Sequence, residues 1–530
     1  MPGIHFTHVG FHYDEPYNEV FTDLSLTIDT GWRTGLTGRN GRGKSTLLKL
    51  LTGELEPVTG QVQVPVPTLR YDPAGSYRGS CLDVARALIA PFDAWEQEMN
   101  ALLAHADGQA LERYAELQER FAAAGGYEVN SLIEQELERM QLDARSLHAP
   151  FTELSLGQQT RVSIACLFIR RRLSAADAFA LIDEPTNHLD LAGREQLASY
   201  LQAQPGFLLV SHDRTLLDAC TDHTLALRKQ DATVTLGNWS NWAAEEAKRT
   251  LYEQRRHNNL NQEIAHLENT ARQRRSDAGK KEKEKYGGGV IDKGFVGHRA
   301  AKQMKRALVA ERRIRQQVEE KSGLLGHVEK SRSLVIGTHS RSSRDPLVIN
   351  NLNVSFGDQA IIREFSLNIA TGERIAVTGP NGCGKSTLLK AILGSLDHTG
   401  IIQRNEAISA AAQTPAWHTG FLSDLVRENG FDETRFRQFL GILDVRGEIF
   451  EAPLETFSAG QLKKVELVRS ILTDAGLLLW DEPMNYLDVD SRSLVETAIL
   501  EGQPTMLVIE HDRRFIDTIA TRVVTLEELL

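Results

Sequence analysis

Short continuous apolar runs recur along the chain, and each ends at polar or charged residues. FALI leads into Asp183, LLLW leads into Asp481, and LLV and MLVI precede two SHDR-like segments near His212 and His511. Such runs predict fully buried strands, because strands covered on both faces are apolar throughout. TGLT and IAVT are two more such runs, each followed by a helix-like STLLK segment. The pattern therefore predicts an α/β fold.

A second apolar pattern, with helical spacing, fills the middle of the chain. Residues 242–321 are predicted to form two long helices with one apolar stripe on each. The stripes consist of Leu260, Ile264 and Leu267 on the first helix, and Met304, Ala307, Ile314 and Val318 on the second. Glycine-containing turns at 286–289 and 292–295 interrupt the pattern between them. We therefore expect an antiparallel helical hairpin, whose helices of about 35 residues would reach roughly 50 Å.

The segments on either side of the hairpin repeat one another. The segment around Lys44, LTGRNGRGKSTLLKLLTG, has a similar segment around Lys385, 341 residues later. The segment around Ser155, ELSLGQQTRVSIA, has a similar segment around Ser458, only 303 residues later. The first copy therefore holds 38 more residues (341 minus 303) between these motifs, within about 91–143. We interpret them as an inserted helical hairpin, although a longer loop with helices is an equal alternative. The predicted domains are 1–240, 241–345 and 346–530.

Composition and charge narrow the class of protein. No run approaches the roughly 18–20 apolar residues of a membrane span, and no signal peptide is evident, so we expect a cytoplasmic protein. The four cysteines lie far apart, which argues against zinc, iron–sulfur and disulfide frameworks. Residues 271–315 carry 15 Lys or Arg and five acids, a net charge of +10, whereas the whole chain carries −11. Nucleic acid would therefore have to bind through this confined basic element.

Two loops of the pattern GxxxxGKS begin the repeats. Each follows an apolar run and opens a helix, so backbone N–H groups and the helix dipole would hold the phosphates of a nucleotide. Lys44 and Lys385 would reach the β- and γ-phosphates, and Ser45 and Ser386 would bind Mg²⁺. The candidate phosphate-binding residues are Gly38, Asn40, Gly41, Gly43, Lys44, Ser45 and Thr46 in the first copy, and Gly379, Asn381, Gly382, Gly384, Lys385, Ser386 and Thr387 in the second.

Paired carboxylates end two of the buried strands. Asp183 and Asp481 are placed to coordinate Mg²⁺, and Glu184 and Glu482 to orient or deprotonate the water that attacks the γ-phosphate. Such a pair can also be a simple cap, but the phosphate loops favour catalysis. The histidine that follows each later strand would more often be structural if it stood alone, so its role depends on the repeat.

Together these motifs resemble the ATP-binding-cassette (ABC) ATPase domain over nearly all of both repeats. In that family the SxGQ segment of one domain covers the nucleotide on the phosphate loop of the other, which implies two composite sites for ATP and Mg²⁺. The resemblance adds Gln413 as a ligand of Mg²⁺ and nucleotide, and Tyr13 and Phe356 as stacking aromatics. It also makes His212 and His511 catalytic. The SxGQ residues are Ser458, Gly460 and Gln461 for the first site and Ser155, Gly157 and Gln158 for the second.

The two sites differ in sequence around this shared set. Gln413 of the second repeat has Ala74 as its nearest match in the first. The TNHLD segment of the first repeat is matched by MNYLD in the second, and Ser211 of the first by Glu510 of the second. None of these changes removes the lysine, aspartate, glutamate or histidine of either site. We expect from them that the two sites hydrolyse ATP at different rates.

Two cassettes with a charged hairpin between them resemble the ABC-F family, and GNWSNW at Gly237 is similar to its cassette-to-linker junction. This resemblance implies a ribosome-binding ATPase. ATP would close the cassettes and place the hairpin at the tRNA exit site near P-site tRNA and the peptidyl-transferase centre, and hydrolysis would release it. The tip sequence looks most like the antibiotic-resistance branch. Contacts to rRNA and tRNA would come from a basic tip at about 279–306, with Lys280, Lys281, Lys283, Lys285, Lys293, Phe295, His298, Arg299, Lys302, Lys305 and Arg306.

Three alternatives stay open on the sequence. The tip can be a solvated linker without a ligand. A housekeeping translation factor of the same family would share every motif named above. The tandem ATPase subunit of a membrane importer would share the cassettes but would not need the hairpin. DNA-repair ABC ATPases carry zinc cysteines that this chain lacks, so no DNA partner is expected. Two cassettes in one chain predict a monomer.

Overall fold

The structure is a computed structural model of the 530-residue chain. It describes residues 2–14, 17–71, 77–104, 108–174, 177–187, 189–228, 231–284, 312, 334–337, 344–357, 359–445 and 447–526. The chain divides into two compact units, Met1–Ser240 with Ser333–Leu530, and Asn241–Arg332. The first unit holds both repeats, called the first and second cassettes below, and the second unit holds the linker.

The first cassette combines an antiparallel sheet with a larger, mostly parallel one. Its strands are β1 (Gly3–Tyr13), β2 (Asn18–Asp29), β3 (Arg33–Thr37), β4 (Thr59–Gln63), β5 (Thr68–Arg70), β6 (Phe179–Asp183), β7 (Phe207–Val210), β8 (His223–Leu227) and β9 (Ala232–Leu236). Its helices are α1 (Lys44–Thr52), α2 (Cys81–Ile89), α3 (Phe92–Ala104), α4 (Gly108–Ala123), α5 (Val129–Arg139), α6 (Leu156–Leu173), α7 (Leu191–Gln202) and α8 (Arg214–Cys220). The sheet orders are β2-β1-β4 and β5-β6-β7-β3-β8-β9, and β9 pairs antiparallel with β8.

The linker begins with α9 (Trp239–Glu284), and the second cassette repeats the architecture of the first. Its strands are β10 (Leu347–Phe356), β11 (Gln359–Ile369), β12 (Arg374–Thr378), β13 (Thr399–Arg404), β14 (Ile408–Ala411), β15 (Leu477–Asp481), β16 (Met506–Ile509) and β17 (Arg522–Thr525). Its helices are α10 (Lys385–Leu393), α11 (Leu422–Glu428), α12 (Glu433–Ile442), α13 (Ala459–Leu472), α14 (Val489–Gly502) and α15 (Arg513–Ile519). The sheet orders are β11-β10-β13 and β14-β15-β16-β12-β17, the larger sheet being parallel throughout.

The apolar runs of the sequence are the central strands of the two larger sheets. All four residues of FALI in β6 are buried, and every residue of β15 is buried. Trp480 of β15 is among the largest fully buried side chains, and its indole Nε1 donates to Ser470 Oγ at 2.9 Å. Parallel strands end at one edge of a sheet, so β6 and β15 deliver their terminal carboxylates beside the phosphate loops that follow β3 and β12. The predicted α/β fold with two tandem cassettes is confirmed.

The stretch at 91–143 is helical and contains α3, α4 and α5. Arg86 on α2 is 9% exposed and joins these helices through its guanidinium. It donates to Asp93 at 3.0 Å, Glu96 at 2.7 Å and Asn130 at 2.8 Å. A buried guanidinium is satisfied only when several acceptors surround it, so Arg86 fixes the base of this helical region.

The linker unit contains one long described helix. Helix α9 runs for 46 residues, which at 1.5 Å per residue gives a length of about 70 Å. Lys280, Lys281 and Lys283 lie on its last turns. The second predicted helix and the other tip residues lie outside the described residues, apart from helical Arg312. Among the described helices, none has both the length and the apolar content that crossing a membrane requires.

The core of the second cassette includes a short segment that precedes its predicted start at residue 346. Leu334 and Ile336 are 2% and 0% exposed and pack in the same cluster as Trp480. The backbone of Ile336 approaches Gly502 at the end of α14 so closely that a side chain there would meet its carbonyl oxygen. The cassette core therefore begins by Leu334.

Substitution of Gly502 by alanine is expected to destabilise the second cassette. A Cβ atom at this position would lie 1.6 Å from the Ile336 carbonyl oxygen. The backbone would have to move, at a cost of about 1–3 kcal/mol, and each kcal/mol corresponds to roughly 2–4 °C in the melting temperature. Gly441→Ala is the control, because Gly441 lies in α12 and a Cβ atom added there would meet no atom of another element within 4 Å. Equal melting temperatures for the two variants would contradict the packing of Ile336.

Candidate nucleotide-binding sites

Both phosphate loops have the backbone shape that places N–H groups around an anion. Gly43 and Gly384 precede α1 and α10 in the left-handed region, with φ of 88° and 98°. A Cβ at Gly43 would lie 2.4 Å from Val20 Cγ1, and one at Gly384 would lie 2.7 Å from Ile361 Cγ2. Positive φ and this lack of space together explain why both positions are glycine.

The two loop lysines fold back over their loops. Lys44 Nζ donates to the Gly38 carbonyl oxygen at 2.6 Å and lies 3.4 Å from Asn40 Oδ1. Lys385 Nζ donates to the carbonyl oxygens of Gly379 and Pro380 at 2.8 and 2.7 Å. Burial lowers the pKa of Lys44. An ammonium group held in this way lies where the phosphate chain of a nucleotide would enter the loop.

The catalytic glutamate candidates occupy the same unusual backbone conformation in both cassettes. Glu184 has a φ of 46° and Glu482 a φ of 47°. Their amides donate to the carbonyl oxygens of Val210 and Ile509, the last residues of the neighbouring strands, at 2.9 Å each. A non-glycine residue in the left-handed region is strained, and such strain concentrates at functional sites. The turn directs each carboxylate out of the end of its sheet.

The histidine candidates lie beside these glutamates. His212 Nε2 lies 3.4 Å from Glu184 Oε1 and 3.4 Å from Lys44 Nζ, and the His212 amide donates to Glu184 Oε2 at 3.3 Å. His511 Nε2 lies 3.5 Å from Glu482 Oε1. Burial holds the pKa of His212 well below its usual value. The structure thus brings lysine, glutamate and histidine of the first cassette into one cluster.

The surroundings of the two glutamates differ. Glu482 Oε2 accepts from Gln413 Nε2 at 3.0 Å and from Asn485 Nδ2 at 2.5 Å. Burial would raise the pKa of Glu482, but His511 and the other donors hold it below its ordinary value. Burial raises the pKa of Glu184 to about 7. Residue Ala74, the nearest match to Gln413, lies outside the described residues.

The aspartates and serines offer the ligands that Mg²⁺ prefers. Asp481 hydrogen-bonds Ser386, and its Oδ1 is buried without a hydrogen-bond partner among the described residues. Asp183 lies 3.5 Å from the guanidinium of Arg70 at the end of β5. Burial raises the pKa of both aspartates. A carboxylate with an unused buried oxygen beside a serine hydroxyl fits a hard cation, so these residues suit Mg²⁺.

The aromatic candidates end the corresponding strands β1 and β10. Tyr13 is partly buried, and its hydroxyl lies 3.2 Å from Thr46 Oγ1 on α1. Phe356 is 54% exposed. The structure therefore brings Tyr13 to the helix of the first phosphate loop and leaves Phe356 exposed at the end of β10.

Residues of the second cassette lie directly on the first phosphate loop. Asn40 Nδ2 donates to the Tyr486 carbonyl oxygen at 3.4 Å, and Arg39 Nε donates to Asp490 Oδ2 at 2.6 Å. A Cβ at Gly460 would lie 3.2 Å from Asn40 Nδ2. The SxGQ segment of the second cassette is thus adjacent to the first loop.

At the second phosphate loop the contact with the other cassette comes from a different residue. The amide of Asn381 donates to Asp190 Oδ2 at 3.2 Å.

The serine and glutamine of each SxGQ segment form a reciprocal cap at the start of their own helix, Ser155 with Gln158 and Ser458 with Gln461. These caps fix the N-termini of α6 and α13, where the dipole favours an anion.

A buried ion pair joins the cassettes away from the loops. Arg214 on α8 donates from both terminal nitrogens to the Glu496 carboxylate on α14, and these side chains are 3% and 10% exposed. The guanidinium of Arg214 lies 5.8 Å from the Trp239 ring centroid, and that of Arg514, from the second cassette, lies 4.9 Å from it. Trp239, the first residue of α9, is 6% exposed. It therefore packs between one arginine from each cassette.

Several of these residues were not identified from the sequence. Arg70, Asp490 and the Arg214–Glu496 pair make contacts between segments far apart in the chain, and no local motif marks them. Asn485, by contrast, lies only three residues after Glu482, within the MNYLD segment. The sequence does contain one usable signal of buried charge, which is the pair of consecutive lysines in the otherwise apolar helix α13. Lys463 and Lys464 are both buried in the structure.

Three comparisons with known proteins agree with this geometry. The sequence model of the ABC transporter family matches residues 21–187 and 362–485. The ATP-binding protein YdiF of Bacillus subtilis is 30% identical over 96% of this chain and 77% of its own length. The energy-dependent translational throttle protein EttA of Escherichia coli is 26% identical over 97% of this chain and 90% of its own length. The archaeal ribosome recycling factor aABCE1, solved with a stalk protein, superposes with a TM-score of 0.60 at 19% identity, covering 98% and 87% of the two chains.

Proposed function

The chain belongs to the ABC transporter family of ATP-binding proteins and is an ATPase, and from this premise we propose that it acts on the ribosome as an ABC-F protein. The observation that supports the ribosome as partner is the similarity to EttA, whose name describes a translational throttle, over 97% of the chain. That coverage includes the linker as well as both cassettes. The proposal places the protein in the cytoplasm as a monomer with an intramolecular pair of cassettes.

In the proposed cycle the cassettes close on ATP bound at two composite sites. Lys44 and Lys385 hold the β- and γ-phosphates, and the SxGQ segments of the opposite cassettes cover them. Ser45 and Asp183, and Ser386, Gln413 and Asp481, would hold Mg²⁺, which when bound neutralises charge on the phosphates. Glu184 and Glu482, each beside a histidine, orient the attacking water.

The linker supplies the contact with RNA in this proposal. The basic tip at 279–306 binds rRNA and P-site tRNA near the peptidyl-transferase centre, because phosphate backbones attract a locally positive element on an acidic protein. The finer proposal is protection of the ribosome against antibiotics bound at that centre. It is supported by the tip sequence alone. A housekeeping translation factor is the alternative with the same site.

The expected result that tests the ribosomal role is cosedimentation. The full chain with a non-hydrolysable ATP analogue should migrate with ribosomes on a sucrose gradient, whereas the chain with ADP should stay at the top. The physical reason is that only the closed cassettes would fix the linker in a binding pose. A variant with Lys280, Lys281, Lys283 and Lys285 replaced by glutamine should bind less and lose part of its salt dependence.

Failure of the wild-type chain to sediment with ribosomes in either nucleotide would contradict this function. Continued transport activity after deletion of residues 278–302 would instead favour an importer subunit. A susceptibility panel of peptidyl-transferase antibiotics, with and without expression of the chain, separates the protective role from the housekeeping one.

A further inference from the structure

Lys463, on the SxGQ helix α13, is buried behind the second ATP site. Its side chain is among the largest that are fully buried, with 2% of the residue exposed. The ammonium donates to the carbonyl oxygen of Ala412 at 2.9 Å and to that of Asp481 at 3.0 Å. Ala412 immediately precedes Gln413, and Asp481 immediately precedes Glu482. One ammonium group therefore anchors the backbone before each of two residues that hydrogen-bond to one another in the site.

Glu510 forms a second anchor on the other side of the same site. It is 1% exposed, and three backbone amides donate to its carboxylate. The Met484 amide donates at 2.7 Å, the His511 amide at 2.8 Å and the Asp512 amide at 3.2 Å. Glu510 thus links the segment that carries His511 to the turn that follows Glu482. Together the two anchors fix the backbone at Gln413, Glu482 and His511.

Several charged groups surround each anchor. Burial lowers the pKa of Lys463, and the carboxylates of Glu510, Asp481 and Glu466 oppose this effect. Burial raises the pKa of Glu510, and the cations that oppose it are Arg194 and Arg492. The anchoring therefore rests on the backbone hydrogen bonds of each residue.

The matched positions of the first cassette hold neutral hydroxyls. Counting from the SxGQ serines and from the two histidines, Thr160 matches Lys463 and Ser211 matches Glu510. Thr160 Oγ1 donates to the Leu156 carbonyl oxygen one turn earlier at 2.9 Å, and Ser211 Oγ accepts from the Asp213 amide at 3.0 Å. Both of these contacts are local, so neither joins the Asp183 backbone to α6.

We propose that Lys463 and Glu510 are two positioning residues that hold Gln413, Glu482 and His511, through the backbone, for hydrolysis at the second ATP site. The matched positions of the first cassette hold neutral side chains with local contacts. This positioning role rests on the ATPase activity and on the proposed site assignment, and it does not depend on the ribosomal role. Neither residue touches the reacting atoms in this arrangement, since each acts through backbone.

The test exchanges the pair for the residues of the first cassette. In a Glu184→Gln parent, remaining ATP turnover reports the second site, and Lys463→Thr, Glu510→Ser and the double variant are compared in it. Each variant should melt at a lower temperature, since it removes hydrogen bonds to buried backbone groups. The kcat of the double variant should be about 10-fold or more below that of the parent, with little change in KM for ATP.

Lys390→Thr with Glu501→Ser is the matched control, because both side chains are exposed in the same cassette. It should leave kcat and the melting temperature unchanged. If the double variant melts below the parent, Lys463→Gln is assayed as well, because glutamine keeps a neutral hydrogen-bond donor. Its kcat and its KM for ATP are compared with those of the parent in the same way.

A double variant with kcat within about twofold of the parent would show that the pair serves stability alone and would overturn the proposal. Absence of turnover in the Glu184→Gln parent would overturn it at its first step, because the second site would not hydrolyse ATP by itself. Loss of ribosome sedimentation, by contrast, bears on the proposed function only.

Discussion

Glu482→Gln is expected to remove most of the steady-state ATP hydrolysis of this protein. The Glu482 carboxylate accepts from Gln413 and Asn485 and lies 3.5 Å from His511 Nε2, so its position is fixed, and in the proposed cycle it orients the attacking water. Removal of a positioned general base lowers the rate of its site by roughly 10²–10⁴. Glutamine has nearly the same shape, so the fold and ATP binding should persist. Phosphate release at saturating ATP measures the effect.

Glu184→Gln is the matched variant in the other cassette. It should leave a larger residual rate, because the structure gives Glu184 a contact with His212 but no counterpart of the Gln413 and Asn485 bonds in the part of the chain that it describes. The double variant should be nearly inactive. Equal residual rates for the two single variants would contradict the inequality of the sites.

The second large effect is expected at the buried ion pair between the cassettes. Arg214→Met or Glu496→Leu alone would leave its partner charged and buried, which typically costs about 3–5 kcal/mol. Thermal unfolding followed by circular dichroism should show a lower melting temperature for each single variant. The double variant Arg214→Met/Glu496→Leu should recover much of the loss, because two apolar side chains can replace a buried pair.

The pair Arg513–Glu195 provides the control for that experiment. It also joins the cassettes, at 2.8 Å, but both side chains are 63% exposed. Exposed pairs contribute about 0–1 kcal/mol, so Arg513→Met should change the melting temperature little. An Arg214→Met variant as stable as Arg513→Met would show that the buried pair does not hold the cassettes together.

The parts of the fold that could be predicted are those determined by the residues of a short, continuous segment. FALID and LLLWD specify buried strands by composition alone, and the two GxxxxGKS loops specify a strand–loop–helix turn through their glycines. A periodic apolar stripe likewise predicted a long helix after Trp242, which corresponds to α9. Local propensity and pattern agree with the tertiary structure at each of these positions.

What could not be predicted depends on contacts between distant segments. Arg70 at the end of β5 meets Asp183 at the end of β6, and Asp490 meets Arg39 across 451 positions of sequence. Leu334 and Ile336 pack in the core of the second cassette although they precede its predicted start at residue 346, and a run as short as LVIG has no recognisable period. Long-range partners of this kind are fixed by topology, which a single sequence does not display.

The packing of Trp239 bears on whether the cassettes can be exchanged between related proteins. Asp218 of the first cassette accepts from the Ser240 amide at 2.7 Å, and the Arg514 guanidinium of the second cassette lies 4.9 Å from the Trp239 ring centroid. Residues 239–240 are therefore fitted to both cassettes. A hybrid protein that takes its first cassette from a relative would lose this fit unless Arg514 and its surroundings were transferred as well.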